Sequence, residues 1–208
     1  MSLILAAALI ANLPLVVRTY DSAGVPSRML ARATDTAGIT LAAIGVTPIW
    51  RPCHASGCAG KPKAHEVIVR LVTSTPLSER DSLGFAAVDL DQKAGTLATI
   101  YVDRVDILAF RSGVDRSTLL GRAIAHEIGH VMLGTAAHAK AGLMRATWRS
   151  DELHRDRPLD WVFSEAEGEQ MRIRFAARTD STPVQEPIVP SLIRRSCPPF
   201  GGPTAVWP

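Results

Sequence analysis

Three residues near the middle of the chain have types and a spacing that suit metal chemistry. His126 and His130 are four residues apart, and Glu127 follows the first histidine directly. On a helix, side chains at this spacing share one face with their Cβ atoms about 5–6 Å apart. Two imidazoles placed in this way can both reach one Zn²⁺ at about 2.0–2.1 Å. Glu127 lies one step round the helix and can act as general base on a water that the metal activates, returning the proton to the leaving amine.

A catalytic zinc site needs a third protein ligand and keeps a fourth position for water. If the helix continued, His138 would lie about 12 Å from His130, too far to share a metal. Gly134 is the expected end of the helix, because glycine readily takes the left-handed conformation that ends helices. We therefore expect the chain to turn after Gly134 and to bring His138 back to the metal. His154 is the weaker alternative.

The segment HEIGHVMLGTAAHAKAGLM resembles the active-site region of the metzincin clan of zinc peptidases, and most closely its matrixin branch. That clan has the motif H-E-x-x-H-x-x-G-x-x-H, followed by a turn that contains methionine. The resemblance implies that Met144 forms an apolar floor under the metal. It also implies a zinc-dependent metalloendopeptidase that acts on peptide or protein substrates. The motif here is one residue longer on each side of Gly134.

The resemblance covers residues 13–178 and implies a fold as well as a site. In that clan a strand, a helix and four further strands precede the active-site helix. The fourth strand is an antiparallel edge that pairs with an extended substrate. Here that strand would consist of Gly84, Phe85, Ala86, Ala87 and Val88.

Local sequence patterns predict the same order of elements. They predict the α/β (α+β) fold class, with a mixed sheet packed against two helices. The resemblance implies that this is a metzincin-like mixed and twisted sheet with an active-site helix and a backing helix. Apolar runs bounded by turn residues predict strands, and helical periodicity between capping residues predicts helices. Strands are expected at residues 13–20, 47–50, 66–73, 84–88 and 97–102, and helices at 26–45, 116–133 and 164–177.

Two other interpretations of the histidine pair remain open. In gluzincin-like and ImmA/IrrE-like zinc peptidases a carboxylate on a downstream helix is the third ligand, which Glu165 or Glu169 could supply here. Alternatively, the domain could bind zinc and recognise peptides without cleaving them. Glu127 argues against the second interpretation, because a purely structural zinc site needs no base.

The spacing of the cysteines gives an indication of the cellular compartment in which the protein folds. Cys53 and Cys58 are five residues apart with Gly57 between them, which favours a local disulfide over a metal site using His54. A disulfide is typical of an oxidising compartment. Cys197 remains unpaired in this scheme.

The amino-acid composition limits the class of protein to which the chain can belong. The chain has 208 residues, of which 47% are hydrophobic and 21% charged, so a mostly disordered protein is excluded. Only 5% of residues are aromatic and no basic stripe is present, so we expect no nucleic-acid partner. The longest apolar run, residues 3–17, is broken by Asn12 and Pro14, so we expect no stable membrane span.

The two ends differ in composition from the middle of the chain. Residues 3–11 have the length of a signal-peptide core, so residues 1–12 are expected to be a signal peptide or an N-terminal extension. We accordingly expect a secreted or extracytoplasmic protein, with the cytoplasm as the alternative. Residues 13–178 would form one zinc peptidase domain, and residues 179–208 a proline-rich disordered tail. We expect a monomer.

Overall fold

A computed structural model of the chain describes residues 13–53, 58–74, 82–90 and 94–180. The predicted N-terminal segment, residues 1–12, lies outside the described residues. The predicted tail does so from residue 181 onward, whereas Thr179 and Asp180 belong to the last helix.

The centre of the fold is a five-stranded mixed sheet, which confirms the predicted fold class. Its order in space is β2-β1-β3-β5-β4. β1 pairs in parallel with β2 and β3, β3 pairs in parallel with β5, and β4 lies antiparallel to β5 at one edge. The strands are β1 Leu13–Asp21, β2 Val46–Pro52, β3 Glu66–Val72, β4 Gly84–Asp89 and β5 Ala94–Tyr101.

The predicted helices are present, and two further helices were not predicted. Within the described residues the helices are α1 Ser27–Ala42, α2 Val102–Ser112, α3 Arg116–Leu133, α4 Ser150–Arg155 and α5 Glu165–Asp180, with a 3₁₀ turn at Pro158–Trp161. α2 was missed because it begins directly where β5 ends, with no turn between them. No helix in the described parts of the chain is long and apolar enough to cross a bilayer.

α3 is the buried centre of the domain. Every residue from Leu119 to Leu133 is buried, because the helix packs against α1, the sheet and α5. Asp115 caps its first turn by accepting a hydrogen bond from the Thr118 backbone N–H. At the other end Gly134 takes the left-handed conformation, with φ of 59°. Close approach to α1 is possible because Gly121 has no side chain, and a Cβ there would lie 2.6 Å from Thr36 Cβ.

The segment between β2 and β3 is tied down by a disulfide and by a buried ion pair. Cys53 and Cys58 form the disulfide, with their Cα atoms 5.5 Å apart. The buried Arg18 of β1 pairs with the buried Glu66 of β3, and its guanidinium also donates to the Gly60 carbonyl at 3.0 Å. These contacts hold the segment against β1.

Candidate metal centre

Three histidine side chains converge at the end of α3. His126 and His130 lie one turn apart on the helix, and the loop after Gly134 brings His138 to them. The Nε2 atom of His130 lies 3.1 Å from Nε2 of His126 and 3.2 Å from Nε2 of His138. His126 and His130 are buried and His138 is exposed, so the cluster lies at the protein surface with its two helical members inside.

Backbone carbonyls fix the orientation of the two helical imidazoles. The Nδ1–H of His126 donates to the Leu143 carbonyl at 2.9 Å, and the Nδ1–H of His130 donates to the Thr135 carbonyl at 2.9 Å. A carbonyl oxygen can only accept, so the hydrogen of each neutral ring must be on Nδ1. The lone pairs on the two Nε2 atoms therefore face each other at 3.1 Å, which is an arrangement that needs a cation or a proton between them.

These distances fit a zinc ion. Two nitrogens that each lie about 2.0–2.1 Å from a tetrahedral ion are about 3.3–3.4 Å apart, close to the two separations in the cluster. The ligand atoms of all three histidines lie within 4.8 Å of one another. His126, His130 and His138 are thus a group that could hold one metal ion, with imidazole nitrogens as zinc prefers.

The protonation states also suit metal ligands. Burial, helped by the neighbouring imidazoles, lowers the pKa of His126 to about 4. Burial likewise lowers the pKa values of His130 and His138. All three rings are therefore neutral at pH 7, the form in which histidine binds a metal.

Glu127 carries a buried carboxyl group, one oxygen of which has no hydrogen-bond partner among the described residues. Burial raises the pKa of Glu127 to about 8. Its Oε2 atom is buried and accepts no hydrogen bond from the residues that the structure describes. A carboxyl group in this setting is costly to retain for stability alone, and it directly follows His126 of the histidine cluster.

Edge strand β4 runs directly past Glu127. A Cβ built on the buried Gly84 would lie 3.2 Å from both Cγ and Oε1 of Glu127, so glycine makes room for the carboxyl group. Along the rest of the strand Phe85 and Ala87 are exposed, whereas Ala86 and Val88 are half-buried. The five residues predicted to form a substrate edge thus begin at the candidate base.

Met144 lies under the helix, close to the histidines. It is buried, and the turn that carries it is closed by a hydrogen bond of 2.8 Å from the Ala139 N–H to the Met144 carbonyl. A Cβ built on Gly129 would lie 2.6 Å from Met144 Sδ and 2.8 Å from Phe163 Cε1. Glycine at position 129 therefore allows the methionine to pack directly against the α3 backbone.

The other candidate ligands are not part of this cluster. Glu165 and Glu169 are exposed on α5, and Glu169 pairs with Arg172. His154 is exposed on α4. Among the described residues, the groups with metal-ligand geometry include none of these three.

Sequence patterns missed several contributors to the site. The carbonyls of Thr135 and Leu143 belong to backbone, whose role no residue type reveals. Trp148 touches His126 edge-on with ring centroids 5.5 Å apart, and its indole N–H donates to Leu143 O at 3.3 Å. The glycine between the two histidines, Gly129, was the one available signal for the close approach of Met144.

Comparisons with known proteins find matches among solved structures, and among neither family models nor curated proteins. No protein-family model matches the sequence, and no curated protein matches it. Among solved structures, the chain is similar to the crystal structure of archaemetzincin from Methanopyrus kandleri, at 15% sequence identity and a TM-score of 0.49. The match covers 83% of this chain and 99% of that chain. At this identity and TM-score the likeness carries no argument about chemistry, which rests on the geometry above.

Proposed function

We propose that the protein is a zinc-dependent metalloendopeptidase. The observation that carries the proposal is the convergence of three neutral imidazoles through Nε2, with Glu127 next to the first of them. Such a centre with three protein ligands and an open side is typical of catalytic rather than structural zinc. Bound zinc would supply Lewis-acid chemistry, since it polarises a carbonyl and makes water a stronger acid.

Residues of the chain would bind the ion, orient its ligands and transfer the proton. His126, His130 and His138 would bind the ion, and the carbonyls of Leu143 and Thr135 would hold the first two rings in the binding tautomer. Glu127 would take a proton from water at a carboxylate oxygen and deliver it to the departing amine. Its pKa of about 8 would fall beside a bound cation, because an opposite charge favours the carboxylate. This fall would bring the pKa of Glu127 close to neutral pH, where a general base is most effective.

We infer that the substrate is an extended peptide. β4 is an edge strand, and edge strands offer backbone N–H and C=O groups to a further strand. A peptide that pairs with residues 84–88 would pass within reach of Glu127, because Gly84 lies against that carboxyl group. Pairing through the backbone would bring a peptide bond to the base whatever the side chains are.

The first experiment measures bound zinc per chain after dialysis against a weak chelator. We expect one zinc in the wild type, loss of zinc in His138→Ala, and full retention in His154→Ala. The last variant is the matched control, because His154 is an exposed histidine outside the cluster. A wild type without zinc would overturn the proposal, and a His138→Ala variant that keeps its zinc would show that the third ligand lies elsewhere.

The second experiment separates an enzyme from a zinc-binding recognition domain. Glu127→Gln keeps the size of the side chain and removes the base. We expect unchanged zinc content and a fall in peptide cleavage by about 10²–10⁴, the usual contribution of a general base. If a library of unstructured peptides is bound equally well by both forms and cleaved by neither, the protein is a binder and not a peptidase.

A further inference from the structure

We propose that Trp148 is a positioning residue for the metal centre: its indole N–H orients the backbone carbonyl that holds His126. This inference rests on the proposed zinc site. Trp148 Nε1 donates to Leu143 O at 3.3 Å, and the Nδ1–H of His126 donates to the same oxygen at 2.9 Å. One carbonyl therefore receives both donors, one on each of its lone pairs.

The Leu143 carbonyl needs this support because it belongs to a turn and not to a helix or strand. Gly142 precedes it with φ of +76°, and the turn is anchored through the Leu143 N–H, which donates to Val162 O at 2.9 Å. That bond fixes the peptide plane before Leu143. The Leu143 carbonyl oxygen lies in the next peptide plane, where it accepts from His126 and Trp148. The plane after that contains the Met144 carbonyl, which accepts from the Ala139 N–H.

The ring of Trp148 is itself held in place by a second tryptophan, Trp161. Its ring meets that of Trp161 edge-on, with centroids 5.5 Å apart. The guanidinium carbons of Arg122 and Arg145 lie 4.2 and 5.2 Å from the centre of the Trp161 ring. Arg122 belongs to α3 and lies one helical turn before His126, so this chain of contacts starts and ends on the active-site helix.

A comparison between the two tryptophans separates positioning from packing. Trp161 is buried, and its indole Nε1 has no hydrogen-bond partner among the described residues. Trp148 is half-buried, donates to Leu143 O and touches His126. Both rings fill space in the same cluster, but only Trp148 has a polar atom directed at the metal centre. Outer partners of metal-binding histidines typically affect metal affinity by about 10–100-fold.

The test compares Trp148→Phe with Trp161→Phe by titrating zinc into each metal-free protein against a competing chelator. We expect Trp148→Phe to weaken zinc binding about tenfold, at the lower end of the range for outer partners. Trp161→Phe keeps an aromatic ring against Trp148 and should weaken zinc binding clearly less. The absorption bands of bound Co²⁺ should shift in Trp148→Phe alone, because they report ligand geometry at the ion. Thermal unfolding of the metal-free proteins measures the loss of packing in both variants.

Equal zinc affinities and equal Co²⁺ spectra in Trp148→Phe and wild type would overturn the proposal, as would equal weakening in both variants. If Trp148→Phe does not fold, benzothienylalanine at position 148 keeps the shape of indole and replaces its N–H with sulfur. That variant should show the same loss of zinc affinity, and wild-type affinity in it would refute the role of the N–H. A wild type that binds no zinc would refute the proposed function instead, so the two failures are distinguishable.

Discussion

Gly84→Ala is the sharpest test of how β4 meets the candidate base. The φ angle of Gly84 lies outside the left-handed region, so alanine can adopt the backbone conformation. The obstacle is space, because the added methyl group would overlap the Thr99 carbonyl oxygen and lie 3.2 Å from Cγ and Oε1 of Glu127. To reach an ordinary contact distance, the start of β4 would have to move about 1 Å away from β5.

This displacement of β4 sets the expected loss of stability and activity in Gly84→Ala. Overpacking of this kind costs about 1–3 kcal/mol, and each ladder hydrogen bond stretched out of range costs about 1 kcal/mol more. The narrower unfolded ensemble of alanine offsets about 0.4–1 kcal/mol. We therefore expect a net loss of about 1–3 kcal/mol in the free energy of unfolding, which lowers Tm by roughly 2–10 °C in a domain of this size. A displacement of about 1 Å at the base can reduce kcat/KM by about 100-fold.

Thermal unfolding and peptide cleavage should be measured together, with Gly38→Ala as the matched control. Gly38 lies in α1, and a Cβ there would lie 3.7 Å from Pro48 Cγ of β2, which is an ordinary contact. That substitution should leave activity unchanged and raise stability by up to about 1 kcal/mol, because alanine favours helix. A Gly84→Ala protein with wild-type Tm and activity would refute the close approach of β4 to Glu127.

Three further predictions concern the stability contributed by a buried ion pair, by the disulfide and by bound zinc. Burial raises the pKa of Glu66, but its hydrogen bonds from Lys63 and Arg18 and the positive charge of Arg18 outweigh this and lower it overall. Its ionisation thus contributes stability above the unfolded pKa, and that stability is lost as pH falls through the lower folded pKa. Glu66→Gln should cost about 3 kcal/mol at pH 7 by leaving Arg18 buried without a charge partner, and urea unfolding should show the deficit narrowing towards pH 3. Replacing Cys53 and Cys58 by serine should cost about 2 kcal/mol by the loop-entropy relation, measured by the same unfolding assay, and an equal stability would contradict a formed disulfide. Removing zinc with a strong chelator should lower Tm by roughly 5–10 °C if zinc had been present at about 100 times its Kd, and calorimetry showing no shift would contradict the site.

The active-site helix is the element that the sequence predicted best. Its bounds, Arg116–Leu133, match the prediction because both ends carry chemistry that acts locally. Asp115 supplies the side-chain cap and Gly134 supplies the left-handed residue. Helix spacing then places His126 and His130 on one face, whatever the rest of the chain does. Local rules of this kind need no knowledge of tertiary contacts.

The surroundings of the site could not be predicted in the same way. α4 and the 3₁₀ turn at Pro158–Trp161 are too short to show a periodic pattern, so the path of the chain after Met144 is set by tertiary contacts. The contact of Trp148 with His126 depends on that path. β5 and α2 form one continuous segment, so no turn signal marks the boundary at Tyr101. Tertiary packing decides these elements, and a single sequence carries little trace of it.

The acceptors at the site connect folding with function. α3 is buried on all sides, and the polar side chains of His126, Glu127 and His130 are buried with it. Both Nδ1–H groups are satisfied by carbonyls, which leaves the lone pairs on the Nε2 atoms of His126 and His130 facing each other. Oε2 of Glu127 is buried without a hydrogen-bond partner among the described residues. Buried acceptors without donors cost about 1–3 kcal/mol each. A buried helix would retain such a set only if something positive or protic completes it, and a zinc ion with its water supplies both. The same unsatisfied groups that weaken the metal-free fold are therefore those that the proposed reaction uses.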